Sequence, residues 1–147
     1  MKKIKHIFKI IFEYIILFFI GGIAYYFIER LWKGYFPHFS MFIVGGIAFI
    51  LLGFINSRYL EWKMPLVEQM FIAGFVITVV ELFAGLILNI WLKLNIWDYS
   101  NIPYNFLGQI CLSYFALWQF LSPVGIILHD IVCWKLFNDK APTYNII

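Results

Sequence analysis

Long apolar runs separated by short polar segments are the main pattern of this sequence. A helix of about 20 apolar residues is long enough to cross the roughly 30 Å hydrocarbon core of a bilayer. Four runs reach or approach this length, over residues 14–31, 39–56, 66–94 and 105–137. The pattern therefore predicts an all-α fold, an integral membrane bundle of four transmembrane helices.

The fourth run is longer than one crossing needs and contains Pro123. Proline removes a backbone N–H and clashes with the preceding helical turn. We therefore expect the fourth helix to be kinked or broken at Pro123.

The N-terminal residues 2–12 predict a short basic amphipathic helix. Apolar residues fall on one helical face and lysines on another: Ile4, Ile7, Phe8 and Ile11 against Lys5 and Lys9. Such a segment either lies on an anionic membrane surface or continues directly into the first span.

Composition supports the membrane class. Hydrophobic residues make up 63% of the 147 residues, charged residues only 13%, and the mean hydropathy is +0.86. Soluble domains are about 45–50% apolar and about 25% charged. The net charge of +3 is small and concentrated at the N-terminus, which argues against nucleic-acid binding. No long linker divides the chain, so we expect residues 1–147 to form a single polytopic membrane domain.

The tetrapeptide Gly-Gly-Ile-Ala occurs at residues 21–24 and again at 45–48. Small residues let helix backbones approach closely in lipid, so the first two helices are expected to pack there. The repeated tetrapeptide is explained either by true duplication or by chance similarity in a biased composition.

Lysine and arginine counts predict the orientation, because cytoplasmic loops carry more of them. With the N-terminus inside, the outer loops hold only Arg30, Lys33 and Lys93. The inner segments hold the other eight: Lys2, Lys3, Lys5, Lys9, Arg58, Lys63, Lys135 and Lys140. Both termini are therefore predicted to be cytoplasmic.

Glu81 is the only charged residue in the apolar stretch 70–92. A carboxylate at the middle of a span costs at least a few kcal/mol, so a partner, a cation, a proton or water should offset it. Small and polar residues share its helical face within an arc of about 80°: Gly74, Thr78, Gly85 and Asn89. This face predicts a polar pathway or substrate site, to which Gln109 and Asn56 of other spans also belong. For Thr78, Asn89 and Gln109, simple hydrogen bonding between helices is the alternative.

Motifs for catalysis are missing from the sequence. It has no phosphate-binding loop, no nucleophile elbow and no H-E-x-x-H. His129-Asp130 is an adjacent pair, and no histidines have the spacing of metal ligands. We therefore predict no catalytic residue, no metal and no cofactor, and an enzyme is not favoured.

Several ordered segments carry a resemblance to a known family. The most specific is W-D-Y-S-x-x-P-x-N-x-x-G-Q-I-C at residues 97–111, and residues 28–34, 40–46 and 65–66 add to it. With these, the chain after about residue 15 resembles the bacterial type IV ABC transporter permeases, also called CmpB-like. One departure is His129-Asp130, where the family pattern has two adjacent acids.

The resemblance implies a small multi-pass protein of the bacterial plasma membrane that forms the membrane half of a transporter. The 97–111 signature then leads from an outer loop into the fourth span. Trp97, Tyr99 and Tyr104 suit the aromatic belt at the membrane interface, and Asp98, Asn101 and Asn105 can hydrogen-bond the loop. The 97–111 segment is interpreted either as a structural loop or as a substrate gate.

The sequence is compatible with three functions, and the first is a permease-like transporter subunit. Four short spans are few for a complete transport path, so such a subunit is expected to form a homo-oligomer in the lipid bilayer. A separate ATPase subunit would dock on the inner loop 56–64. The alternatives are an intramembrane lipid-acting enzyme that uses Glu81, Asp98 or Asp130, and a non-catalytic membrane partner or sensor.

Overall fold

The computed structural model describes residues 2–55 and 63–147, and side chains from residue 4 onward within those ranges. Asn56 and most of the inner loop therefore lie outside the described residues. The elements in chain order are α1 (Lys2–Lys33), α2 (Ser40–Leu52), α3 (Leu66–Gly85), a π-helical segment (Leu86–Trp91), β1 (Asn105–Phe106), β2 (Ile110–Cys111) and α4 (Leu112–Phe137). Apart from one two-residue antiparallel strand pair, the regular secondary structure of the described residues is helical.

Among the described residues, three helical segments are long and apolar enough to cross a membrane: Ile4–Lys33, Leu66–Trp91 and Leu112–Phe137. They correspond to the first, third and fourth predicted spans with changed bounds. α2 has 13 residues, which rise only about 20 Å, less than the roughly 30 Å hydrocarbon core. The membrane class is confirmed, and the count of four spans stays a prediction.

The N-terminal amphipathic segment is not a separate element. Residues 2–12 form the first turns of α1, which continues without interruption to Lys33. The sequence gives no reason for a break, because no glycine or proline occurs before Gly21.

The fourth helix begins seven residues later than predicted, at Leu112 instead of Asn105. Residues 105–111 form a hairpin in which Asn105 pairs with Cys111. Leu107 and Gly108 have φ values of 54° and 67°, which suits the central positions of a tight hairpin turn. Gln109 therefore lies in this hairpin and not on a helical face.

α4 is continuous through Pro123, so the predicted break is wrong. A bend there stays a prediction. Proline leaves the carbonyl of the residue four positions earlier without its helical donor, and that residue is Gln119. The Ser122 hydroxyl donates to the Gln119 carbonyl at 3.2 Å, which partly replaces the lost bond.

The Gly-Gly-Ile-Ala repeats lie at the contact between α1 and α2, as predicted. A Cβ added to Gly21 would lie 2.1 Å from Phe49 Cβ, and one added to Gly45 would lie 2.4 Å from Tyr25 Cβ. Each glycine thus faces the aromatic residue four positions after its counterpart. The two helices therefore meet in a symmetric, close contact that requires residues without side chains.

α1 packs chiefly on α2, and α3 chiefly on α4, whereas α1 and α4 touch little. Gly74 lies against the amide of Gln119, and Gly85 lies against Gln109. The Ser122 hydroxyl also lies 3.1 Å from the Met70 carbonyl oxygen of α3, so its single hydrogen is shared between that carbonyl and the Gln119 carbonyl. The bundle therefore consists of two helical hairpins with a looser junction between them.

We predict that Gly21→Ala lowers the free energy of unfolding by about 1–3 kcal/mol, the usual cost of overpacking. The added methyl group would meet Phe49 close to the backbone, where the ring cannot swing away. The measurement is unfolding of the purified protein in mixed micelles with increasing denaturing detergent.

Gly125→Ala is the matched control, since its new methyl group meets only the tip of Leu52. Both changes gain the same helix propensity. Equal stability of the two variants would contradict a tight α1–α2 contact at Gly21.

Candidate functional site

Glu81 is buried between the helices and accepts a hydrogen bond at each carboxyl oxygen. The Tyr99 hydroxyl donates to Oε1 and the Trp118 indole N–H donates to Oε2, both at 2.9 Å. The side chain is only 8% exposed. Two neutral donors thus offset part of the cost of placing this acid among apolar side chains.

Tyr99 reaches Glu81 from the loop that precedes α4. Its backbone N–H donates to the Gly108 carbonyl at 2.8 Å, and its ring stacks on Tyr114 with 4.5 Å between centroids. Burial, together with the negative charge of Glu81, raises the pKa of Tyr99 above its ordinary value. Tyr99 therefore stays protonated and remains a donor throughout the physiological range.

Asn89 and Gln109 form a second buried polar group, on the same side of α3. Asn89 Nδ2 donates to Gln109 Oε1 at 2.9 Å and to the Trp97 carbonyl at 3.0 Å. Asn89 Oδ1 accepts from the Ile96 N–H at 2.7 Å. The Trp97 indole N–H in turn donates to the Gln109 carbonyl at 2.9 Å. This network joins the π-helical segment after α3 to the loop that carries Tyr99.

Hydrogen bonds within the loop hold its tip. Asn105 Nδ2 donates to the Ile102 carbonyl at 2.8 Å, and Asn105 Oδ1 accepts from the Gly108 N–H at 3.1 Å. Asp98 Oδ1 accepts from both the hydroxyl and the N–H of Ser100. These bonds lower the pKa of Asp98 below its ordinary value. Asp98 is exposed and accepts both bonds from Ser100 within the loop, so it shapes the loop.

Thr78 belongs to the same helical face but does not reach Glu81's donors. Its hydroxyl donates to the Gly74 carbonyl of its own helix at 2.8 Å. The structure thus brings together Glu81 with Tyr99, and Asn89 with Gln109 and Trp97, while Thr78 is satisfied locally.

A cleft of about 360 Å³ lies beside this site, between the C-terminal part of α1 and the start of α4. The acidic residue in its wall is Glu29. Glu29 Oε2 lies 2.6 Å from Lys33 Nζ, and Glu29 Oε1 accepts a hydrogen bond from the Tyr25 hydroxyl at 3.1 Å. The other lining residues are Ile28, Leu31, Trp32, Tyr99, Tyr114, Leu117, Trp118 and Leu121.

A narrower groove of about 130 Å³ continues from this cleft along α4. The two spaces share the wall residues Tyr25, Ile28, Trp118 and Leu121. The groove's surface is almost entirely apolar, and small residues of three helices line it: Gly21, Ala24, Gly45, Ala48 and Gly125. The cleft and groove therefore adjoin each other at the ring pair of Tyr25 and Trp118, between the two helical hairpins.

A separate buried polar cluster lies toward the far end of α4. His129 Nδ1 is 3.4 Å from Asp130 Oδ1, and the Tyr144 hydroxyl donates to Asp130 Oδ2 at 2.8 Å. The C-terminal tail is further held by the Leu66 N–H, which donates to the Asn145 carbonyl at 2.7 Å. His129-Asp130 therefore anchors the tail, and Tyr144 is a partner that sequence reasoning missed.

Sequence reasoning also missed Trp118 and Tyr25. Trp118 lies on α4, 37 positions from Glu81, and nothing local marks it among the six tryptophans. For Tyr25 a weak signal exists, because it precedes Glu29 by four residues and such pairs share a helical face.

The helices define the class of membrane protein, and comparison with known proteins identifies the family. Helices long enough to span a bilayer and a buried polar site between them define a multi-helix membrane protein. Residues 16–146 match the family described as Putative ABC-transporter type IV. The chain belongs to that family, as its resemblance predicted. No curated protein and no solved structure matches the chain.

We predict that Asn89→Ala lowers the free energy of unfolding by about 1–3 kcal/mol, because it leaves buried partners of the loop unsatisfied. It also frees the Ile96 N–H, so amide hydrogen exchange over residues 96–99 should become faster. Exchange followed by mass spectrometry, with a parallel thermal melt, measures both effects.

Asn101→Ala is the control, since Asn101 is exposed in the same loop. It should leave exchange and melting unchanged. Unchanged exchange in the Asn89 variant would show that the loop does not depend on the Asn89–Gln109 network.

Proposed function

We propose that this protein is the permease-like, membrane-spanning subunit of a transporter, and that its substrate passes the polar groups around Glu81. The observation that carries the proposal is the shared wall between site and cleft. Tyr99 and Trp118 both hold Glu81 and line the 360 Å³ cleft. A substrate in the cleft would therefore contact the two side chains that determine the position of the buried acid.

The size and position of the cleft support a binding role. Small-molecule sites are commonly about 300–1,000 Å³ and lined by apolar and aromatic groups with few polar ones. This cleft has that volume and that character, and it lies at the loose junction between the two helical hairpins. Motion of one hairpin against the other would open or close it.

The proposal includes the arrangement in the membrane. The excess of lysine and arginine on one side supports an orientation with both termini in the cytoplasm. The proposal sets the protein in the plasma membrane of a bacterial cell. Few spans are available to enclose a path, which favours a homo-oligomer within the bilayer. The family description names an ABC transporter, and this supports association with a separate ATPase subunit.

The lipid-acting enzyme is the weaker alternative. A general acid or base must be within reach of a reacting group. Both Glu81 oxygens already accept bonds from Tyr99 and Trp118, and Asp98 is bound to Ser100 at the exposed loop tip. The hydrogen bonds of Glu81 and Asp98 therefore favour a binding role for these two acids over a catalytic one.

We predict that Glu81→Gln lowers substrate-stimulated ATP hydrolysis by about tenfold or more, equivalent to about 1.4 kcal/mol of barrier. A glutamine amide has one acceptor oxygen and cannot accept from both Tyr99 and Trp118 through two oxygens. The measurement uses the complex purified with its ATPase subunit from source membranes and reconstituted in liposomes.

Glu68→Gln is the matched control, because Glu68 is an exposed acid in the first turn of the same helix. It should keep the hydrolysis rate of the unmodified complex. A folded Glu81→Gln complex with full activity would remove Glu81 from the mechanism. A chain that carries no ATPase subunit and supports no ATP-dependent uptake would contradict the transporter function itself.

A further inference from the structure

Three aromatic side chains in the wall of the cleft share one feature: each donates its polar hydrogen to a carboxyl group. Tyr25 donates to Glu29, while Tyr99 and Trp118 donate to Glu81. The polar edges of these rings are thus occupied. What remains for a bound molecule is ring surface, which carries partial negative charge above and below the ring plane.

Donation to a carboxyl acceptor also makes a ring more electron-rich, since the O–H or N–H bond is polarised toward the acid. Electron-rich ring surfaces attract cations, and tryptophan and tyrosine do so most strongly. Tyr114 and Trp32 add two further rings to the same wall. Five aromatic residues around one space form the kind of cage that recognises organic ammonium groups.

The charged groups near the cleft point to the same kind of ligand. Glu29 lines the cleft directly, and Glu81 lies behind Tyr99 and Trp118. Lys33 is the base paired with Glu29. Two acids against one base favour a cation, and the aromatic wall favours one with a weakly hydrated, organic surface.

The groove next to the cleft adds a requirement for a hydrocarbon tail. It begins at the shared wall of Tyr25, Ile28, Trp118 and Leu121 and is almost entirely apolar. Glycines and alanines on three helices line it. A small soluble amine would fill the cleft but leave this groove without an occupant.

We propose that the cleft and groove together bind an amphipathic organic ammonium, with the cationic head among the aromatic rings beside Glu29 and the hydrocarbon tail along the groove. This inference rests on the proposed function and names the substrate class for the same site. The ligand is lipid-like, so it reaches the site sideways from the membrane through the junction of the two hairpins.

The test uses octyltrimethylammonium as the probe and the purified chain in dodecyl maltoside micelles, with protein-free micelles as reference. Equilibrium dialysis measures binding of the probe, of octyl sulfate and octanol with the same tail, and of choline with the same head. We expect saturable binding of octyltrimethylammonium, and binding at least about tenfold weaker for each of the other three.

Two variants with opposite charge changes make the test specific. Glu29→Gln should weaken octyltrimethylammonium binding about tenfold, and Lys33→Gln should strengthen it, because Glu29 loses its competing partner. Glu68→Gln, which removes an acid far along the sequence on an exposed surface, should change nothing. Leu121→Trp adds bulk to the wall that the cleft and groove share and removes no polar contact. It should therefore weaken binding, and it tests the site even if Glu29→Gln folds poorly.

Equal binding of octyl sulfate or octanol would overturn the ammonium assignment, and choline binding as tightly as the tailed probe would overturn the role of the groove. No response to Glu29→Gln, Lys33→Gln and Leu121→Trp would place the ligand elsewhere. In each of these cases, ATP hydrolysis by the reconstituted complex still decides the transporter function separately.

Discussion

The need to satisfy Glu81, buried between the helices, organises much of the surrounding structure. A buried acid is costly unless donors surround it, and its two donors come from different parts of the chain. Trp118 is on the adjacent helix α4, whereas Tyr99 belongs to the loop outside the span. The loop must therefore fold back over α3, and the bundle and loop become a single polar unit.

The loop can fold back over α3 because its own polar groups form hydrogen bonds within the loop. The Asn89–Gln109 contact fixes the loop to the π-helical segment after α3, and Asn105 closes the loop's tip. A backbone with positive φ at Leu107 and Gly108 turns the chain into the hairpin. The signature segment recognised in the sequence is thus a scaffold that positions Tyr99, and a gating role would have to act through the same residues.

The sequence could predict features that depend on local pattern. Hydropathy gave the membrane class and the start of α3 after Pro65, and helical periodicity placed Glu81 and Asn89 on one face. The glycine pairs indicated where α1 and α2 meet. The hairpin at 105–111 was missed because apolar residues such as Phe106 and Ile110 continue the membrane-like pattern. Partners such as Trp118 were missed because aromatic residues make up 22% of the chain and carry no distinguishing signal.

The location of the cleft follows from how the helices pair. α1 and α2 approach closely through glycines, and α3 and α4 are joined by Ser122 and by the Glu81–Trp118 bond. Between the hairpins the rings of Tyr25 and Trp118 stand 6.1 Å apart at the centroids, with open space on both sides along α4. Strong contacts within each hairpin and few between α1 and α4 make this junction the part of the bundle that can separate at least cost. A binding site there places the ligand where its presence can alter how the hairpins pack, which is the physical requirement for coupling binding to movement.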